Sequence, residues 1–371
     1  MTPTIRDVAQ RAGVAPITVS RVVNNSGYVS QAARQRVEAA IADLNYVPNT
    51  LARSLRFKKT RVLALVVTDI TNPFWTTVAR GVEDVANANG FNVILCNTDE
   101  DEAKQNDYLQ VLLQKRVDGF VLVPARSAAD AVRLIQSQKV PVVVIDREVP
   151  GVEVDVVRSD SEGGAFLLTR HLLELGHRHI AALSGPEDIS TAIQRVAGYR
   201  RALREAGLRP SAEIVFHGSY DPEGGYATGH AALALKPRPT AFFAANNFIA
   251  VGALRAVQEV GLRVPEDVAL VCFDDVPAWF SVDPFLTVAS QPAYQMGEQA
   301  TELLLERLSA HAPSQPREVV LSVQIQIRRS SGGTLSDTST SVAASRMQRS
   351  VQVTVGDERV AVNPNTSEVI S

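Results

Sequence analysis

No stretch of the 371 residues approaches the roughly 18 consecutive apolar positions that a membrane-crossing helix needs, so no membrane partner is expected. Cysteine is scarce. Cys96 and Cys272 both lie in apolar runs that read as strands, where buried, reduced thiols are expected rather than a disulfide or metal ligands. No metal-ligand spacing stands out either: Leu175-Gly176-His177-Arg178-His179-Ile180, with His171 upstream, reads as a helix stop leading into a strand. Gly163-Gly164 and Gly224-Gly225 follow no strand in a phosphate-cradling pattern. Asp274-Asp275 has no accompanying nucleophile or Gly-rich oxyanion signature. The expectation is therefore a protein without cofactor or metal that is not an enzyme. The start, Met1 to Asp7, lacks a basic-then-apolar leader, which points to the cytoplasm.

At 45% hydrophobic and 21% charged, the chain has the composition of globular protein, and its length suits two or three domains. The net charge of -3 hides an asymmetry. Residues 1–61 carry ten Arg or Lys against three acids, a net of +7, which leaves -10 for the remaining 310. A basic head on an acidic body is the footprint of a module that meets a polyanion.

In the head, Thr4 caps a first helix with Asp7 completing a capping box, and Gly13 stops it. Pro16 suits the first position of a second helix with Val19, Val22 and Val23 inward and Thr18, Ser20, Arg21 and Asn24 outward. A third helix starts from Ser30, with Ala33, Val37, Ala40, Ile41 and Leu44 on one face. Two short helices across a Gly-containing turn make a helix-turn-helix, although a plain helical bundle remains open on these residues alone. From Pro48, Asn49 to Arg56 is too short to hold a helix without a partner.

Thr4-Ile5-Arg6-Asp7-Val8-Ala9, Gly13-Val14, Thr18 to Asn24, Tyr46-Val47-Pro48-Asn49 and Ala52-Arg53-Ser54-Leu55 together resemble the head and hinge of the lactose-repressor (LacI/GalR) family. The resemblance implies a second helix in the major groove of double-stranded operator DNA, with Thr18, Ser20 and Arg21 reaching bases and phosphates. It also implies a hinge that folds on a near-palindromic operator as a homodimer, with Ala52 and Leu55 in the minor groove, where an apolar wedge kinks the duplex. Thr4, Pro16, Ile17, Asn24, Asn49, Arg53 and Arg56 complete the expected DNA-facing set. Two departures stand out. Ala15 occupies a position where a capping Ser is usual, at a cost of about 1 kcal/mol. Pro16 and Ile17 offer the bases only apolar contact.

From Val62, apolar runs (62–67, 93–96, 120–123, 142–145, 180–183, 241–244, 270–273) alternate with amphipathic stretches that stop at Gly90, Gly176, Gly207 and Gly261. This predicts α/β lobes with doubly wound parallel sheets, which bind ligands beyond the carboxyl ends of their strands. Polar and aromatic residues stand there: Asn72, Phe74 and Trp75; Asp146 and Arg147; Thr191 and Arg195; Tyr220; Asn246; Asp274; Gln291. Carboxylates, amides and arginines with a few rings suit vicinal hydroxyls and the apolar face of a sugar.

The same set is similar to the cleft of the two-lobed periplasmic sugar-binding fold that the family shares, in particular its pentose and hexose binders. That resemblance implies three crossovers between lobes. The expected organisation is an all-α helix-turn-helix domain at 1–47, a hinge and linker at 48–61, a periplasmic-binding-protein-like body at 62–330, and a tail at 331–371. The body's N-lobe takes about 62–161 and 290–320, its C-lobe about 162–289 and 321–330. The tail reads as a Ser/Thr/Gly-rich linker, then a hairpin over Val351–Val355 and Val360–Val362. It lacks a leucine heptad, so nothing argues for a tetramer. The expected function is a repressor that a pentose or hexose releases from DNA. Two other classes stand beside it: a sugar-transport component, disfavoured by the start and the +7 head, and a Rossmann-type enzyme, disfavoured by the missing catalytic constellation.

Overall fold

The structure, a computed structural model, describes residues 3–47, 59–127, 129–208, 214–276, 284–309, 314–333, 351–355 and 358–362. It divides into two units, 1–60 and 61–371.

The first unit is three helices: α1 (Ile5–Ala12), α2 (Pro16–Val23) and α3 (Gln31–Asp43). Short helices are marginal alone, and the caps do much of the work. The Thr4 side chain accepts from the Asp7 N–H while the Thr4 N–H donates to the Asp7 carboxylate, and Gly13 closes α1 in the left-handed conformation. Ser30 caps α3, whereas Ala15 leaves α2 without a side-chain cap. Val8, Ala9, Ala12, Val19, Val22, Val37 and Ala40 form the core, and Arg11 ties α1 to Asp43 at 2.7 Å.

The second unit holds two parallel-rich sheets. The N-lobe strands are β1 (Val62–Val67), β2 (Asn92–Asn97), β3 (Gly119–Leu122), β4 (Val142–Ile145), β5 (Asp155–Ser159), β11 (Arg317–Leu321), β13 (Val351–Val355) and β14 (Glu358–Val362), ordered β14-β13-β11-β5-β4-β3-β1-β2. The C-lobe strands are β6 (Ile180–Ser184), β7 (Val215–His217), β8 (Ala241–Ala244), β9 (Ala269–Phe273), β10 (Thr287–Ser290) and β12 (Gln324–Gln326), ordered β12-β10-β9-β8-β6-β7. The chain passes from one sheet to the other after β5, after β10 and after β11, and returns to the N-lobe sheet between β12 and β13. β13 and β14 form an antiparallel hairpin that extends the N-lobe sheet from β11.

Strands with helices on both faces are apolar throughout. Along β1, Leu63, Leu65 and Val67 enter one core while Ala64 and Val66 enter another. The first of these cores takes α4 (Pro73–Ala88) and α11 (Ala293–Arg307), and the second takes α5 (Glu102–Gln114) and α6 (Ala129–Ser137). The C-lobe repeats the plan. α7 (Ser161–Glu174) and α8 (Ser190–Glu205) lie on one face, α9 (Pro222–Leu233) and α10 (Asn247–Glu259) on the other. In the N-lobe α4 and α11 touch backbone to backbone: a Cβ on Gly81 would lie 2.2 Å from the Tyr294 carbonyl, and one on Gly297 2.2 Å from that of Val78.

Three expectations need correction. Cys96 lies in an edge strand and is only half-buried, while Cys272 is fully buried. Ser331, read as the first residue of a linker, is packed in a short 3-10 turn at Arg329–Ser331, where its hydroxyl and that of Ser330 hydrogen-bond around Thr287. The polar-rich stretch of β5 gave no apolar signal, yet it is a central strand.

Candidate functional site

The site is built from two equivalent turns, one per lobe. Asp146 directly follows β4, and Asp274 directly follows β9. Both are left-handed, with φ of 71° and 61°, and each backbone N–H donates to the neighbouring strand, to Val157 at 2.8 Å and Ala289 at 2.9 Å. Left-handed backbone is unusual for a side-chain-bearing residue and clusters at functional sites. Both carboxylates are more than nine-tenths buried.

Arg195, on the second turn of α8, is the cation between them. Its guanidinium donates to the Ala245 carbonyl at 2.7 Å and lies 4.0 Å from the centre of the Phe273 ring. Burial raises the Asp146 pKa, opposed by Arg195 and Arg147. Burial likewise pushes Asp274 up to about 6, opposed by Arg195 and by the Gln291 amide, with the Asp146 charge adding to the rise. The Gln291 amide donates to both Asp274 oxygens at 3.0 and 2.9 Å and accepts from the Ser159 hydroxyl at the end of β5. A hydrogen-bonded chain thus runs from the N-lobe through a crossover to the C-lobe. Among the described residues, no hydrogen bond reaches the Asp146 carboxylate.

Other expected residues frame this centre. Asn246 caps α10 by accepting from the Ile249 N–H, and its amide donates to the Tyr220 carbonyl at 3.3 Å. The Tyr220 hydroxyl meets Thr191 at 3.2 Å, and burial raises its pKa. Phe74 and Trp75 pack edge to face, 4.7 Å between centres. Trp75 is chiefly a core residue, buried with Val78 and Val82. Arg147 is buried, but its fork is already engaged by the Glu100 carboxylate and the Pro124 carbonyl. Burial works against its charge, yet Glu100 and Asp146 together raise its pKa.

Four contributors had no clear sequence signal. Glu100 neutralises Arg147. Asn247 forms a reciprocal amide pair with Asn72 across the lobes, at 3.0 and 3.2 Å. Ser159 holds Gln291. The Ser184 hydroxyl and the Nε atoms of Arg147 and Arg195 are buried without a partner among the described residues. Only the Asn246-Asn247 doublet and the Thr98-Asp99-Glu100-Asp101 run, both directly after strands, offered a hint. Asp275, by contrast, is taken up by Arg328, at 2.8 Å from one guanidinium nitrogen. His171, His177 and His179 bond separately to Ser331, Thr240 and Pro237.

In the head, Pro16, Ile17 and Arg21 are exposed along α2, with Ile17 57% exposed, and Thr18 and Ser20 are half-buried. Thr4 serves as the cap of α1. Asn24, expected to face outward, turns its amide back onto the Ser20 carbonyl at 2.7 Å because it ends the helix. Asn49, Ala52, Arg53, Leu55 and Arg56 lie outside the described residues.

Comparison with known proteins covers the same two units. Residues 4–49 match the family model for bacterial regulatory proteins of the lacI family, and residues 60–330 match that for periplasmic binding proteins and the sugar binding domain of the LacI family. The chain is 36% identical to the ribose operon repressor of Escherichia coli K12, over 85% of this chain and 96% of that one. It is 35% identical to the HTH-type transcriptional repressor PurR of Photobacterium profundum, over 82% and 92%. The Lac repressor dimer bound to operator and the anti-inducer ONPF superposes with a TM-score of 0.77 at 28% identity, covering 89% of this chain and 99% of that one. No helix among the described residues is long and apolar enough to cross a membrane. The chain therefore belongs to the LacI family: it is a transcriptional regulator with a helix-turn-helix head and a two-lobed effector-binding body.

Proposed function

We propose that this protein is a cytoplasmic repressor that binds a near-palindromic operator as a homodimer and releases it when a pentose or hexose occupies the cleft between its lobes. The observation that carries the reading is the meeting of Asp146, Arg195, Asp274 and Gln291 from opposite lobes, with buried donors and a bare carboxylate at one centre. Vicinal hydroxyls both donate and accept, so one sugar satisfies Asp146 and the Arg195 Nε together. Asn72, Phe74, Trp75, Arg147, Thr191, Tyr220 and Asn246 shape the remaining wall.

Thr18, Ser20 and Arg21 of α2 read the major groove, with Pro16 and Ile17 in apolar contact with it and Thr4, Asn24 and the hinge residues Asn49, Arg53 and Arg56 close to the backbone. Ala52 and Leu55 wedge the minor groove. The homodimer face includes β2, since a strand in a parallel sheet is normally covered on both faces, yet Ile94 and Leu95 are 41% and 38% exposed. A sugar that shifts the lobes parts the paired hinges and removes the wedge.

The test is binding of the full chain to DNA from its own promoter region, with and without a panel of pentoses and hexoses. One sugar is expected to weaken specific binding tenfold or more, about 1.4 kcal/mol of coupling. A fragment starting at Val62 should keep sugar binding and lose DNA binding. Specific DNA binding that no sugar alters would overturn the cleft assignment.

A further inference from the structure

We propose that the cleft accepts an uncharged sugar and rejects the phosphate ester of that same sugar. The inference rests on the reading of the cleft as the effector site and adds the charge class of the effector.

The charges at the centre decide it. Among the described residues, Asp146 and Asp274 face one available cation, Arg195. Arg147 supplies no second one, because Glu100 takes its fork in a bidentate pair and Pro124 takes a further hydrogen bond. Counting Glu100, Asp146 and Asp274 against Arg147 and Arg195 leaves a net of -1 in a buried site. A phosphoryl group would bring about -1.5 to -2 more at neutral pH.

Helix N-termini, the usual alternative for holding a phosphate, are closed or guarded here. In α10 the first free N–H groups, of Phe248 and Ile249, are taken by Asn247 and Asn246. In α4 the first residue is Pro73, which has no N–H, and the Phe74 N–H is taken by Asn72. α8 starts without a side-chain cap, but Glu187 and Asp188 stand immediately ahead of it in the chain.

The approach is acidic as well. Arg126 and Asp188 pair across the lobes at 3.2 Å. Beside them is a recess of about 470 Å³, lined by Asp99, Glu100, Asp101, Glu102, Ala103 and Arg126. Lys104 is held by Asp99 and adds no uncompensated charge there. A neutral polyol meets none of this repulsion and offers hydroxyl donors to both carboxylates. A sugar phosphorylated after uptake therefore ceases to be an effector, and the regulator reads the free sugar alone.

The experiment is calorimetric titration of the full-length protein with matched pairs: D-ribose and D-ribose 5-phosphate, D-glucose and D-glucose 6-phosphate, D-fructose and D-fructose 6-phosphate. The free member of one pair is expected to bind about a hundredfold more tightly than its ester, the scale of like-charge repulsion at a partly buried site. Glu100→Gln, which releases the Arg147 charge without altering a group facing the sugar, should narrow that gap about tenfold. Glu102→Gln, fully at the exposed rim, should narrow it by about twofold and serves if the Glu100 variant fails to fold. An ester that binds as tightly as its free sugar overturns the charge selection and leaves the cleft reading intact. Absence of binding by every member of every pair overturns the cleft reading itself, and this inference with it.

Discussion

The head and the cleft are built from contacts of opposite reach. In the head the Thr4–Asp7 box, the Ser30 cap and the Asn24–Ser20 bond join residues three or four positions apart, and the link from Arg11 to Asp43 spans 32. At the cleft, Ser159 reaches Gln291 across 132 positions and Asn72 reaches Asn247 across 175. Local contacts leave signatures in sequence because their spacing is fixed by helix geometry. Contacts between lobes are set by topology, and any polar residue can make them.

The strongest way to break this contrast is to remove Arg195. Arg195→Ala leaves two buried carboxylates without their cation, and sugar affinity is expected to fall at least about a hundredfold, while operator binding without sugar stays near its parent value. Calorimetry and DNA binding on the same preparation check both halves. Loss of operator binding would show that the cleft and head do not separate as described.

Next in size is a pH effect on the sugar. Asp274 sits near 6 because burial outweighs Arg195 and Gln291, with Asp146 reinforcing the rise. Its ionised form is the better acceptor of hydroxyls, so affinity should fall as pH drops through 6, by about tenfold between pH 7 and 5. The stability sign is opposite to that of a paired carboxylate. The folded pKa exceeds the unfolded one, so this group's contribution is full below about 4 and is lost as pH rises through 6. Asp274→Asn should flatten both profiles; a parent protein whose sugar affinity is unchanged over this range contradicts the assignment.

Asn247→Asp sharpens the interlobe half. A carboxylate suits the first turn of α10, so folding is expected to hold, but it cannot donate to Asn72 or to the Asp275 carbonyl. Sugar affinity should shift by about tenfold, read together with the change in small-angle scattering radius on binding. Unchanged values for both would reduce the amide pair to a packing detail.

Within one lobe, Gly297→Ala should cost about 1–3 kcal/mol of body stability, since the new methyl meets the Val78 carbonyl. Thermal unfolding measures it, and an unchanged midpoint would mean that α4 and α11 part easily. The smallest effect belongs to the head. Ala15→Ser supplies the missing cap of α2 and should stabilise the head by about 0.5–1 kcal/mol with no change at the cleft.

The same contrast explains what the sequence disclosed. Caps at Thr4 and Ser30 were legible because a polar residue before an apolar periodicity has one good use. Strand ends were legible because apolar runs stop there, which located Asp146, Asp274 and Gln291. Glu100 and Asn247 were not, since each acts on a partner that only the fold brings near. β5 escaped because Asp155 and Arg158 interrupt its apolar run, the former being buried against Arg307. Cys96 was misplaced because an apolar run does not reveal that its strand lies at an edge.

One sugar, held between the lobes, is expected to loosen the operator. The direct measurement is operator affinity of the full chain at saturating sugar and at none, paired with sugar affinity on and off the operator. Reciprocal coupling between the two sites requires the same factor, tenfold or more, in both directions. Equal operator affinity with and without a sugar that demonstrably fills the cleft would contradict it.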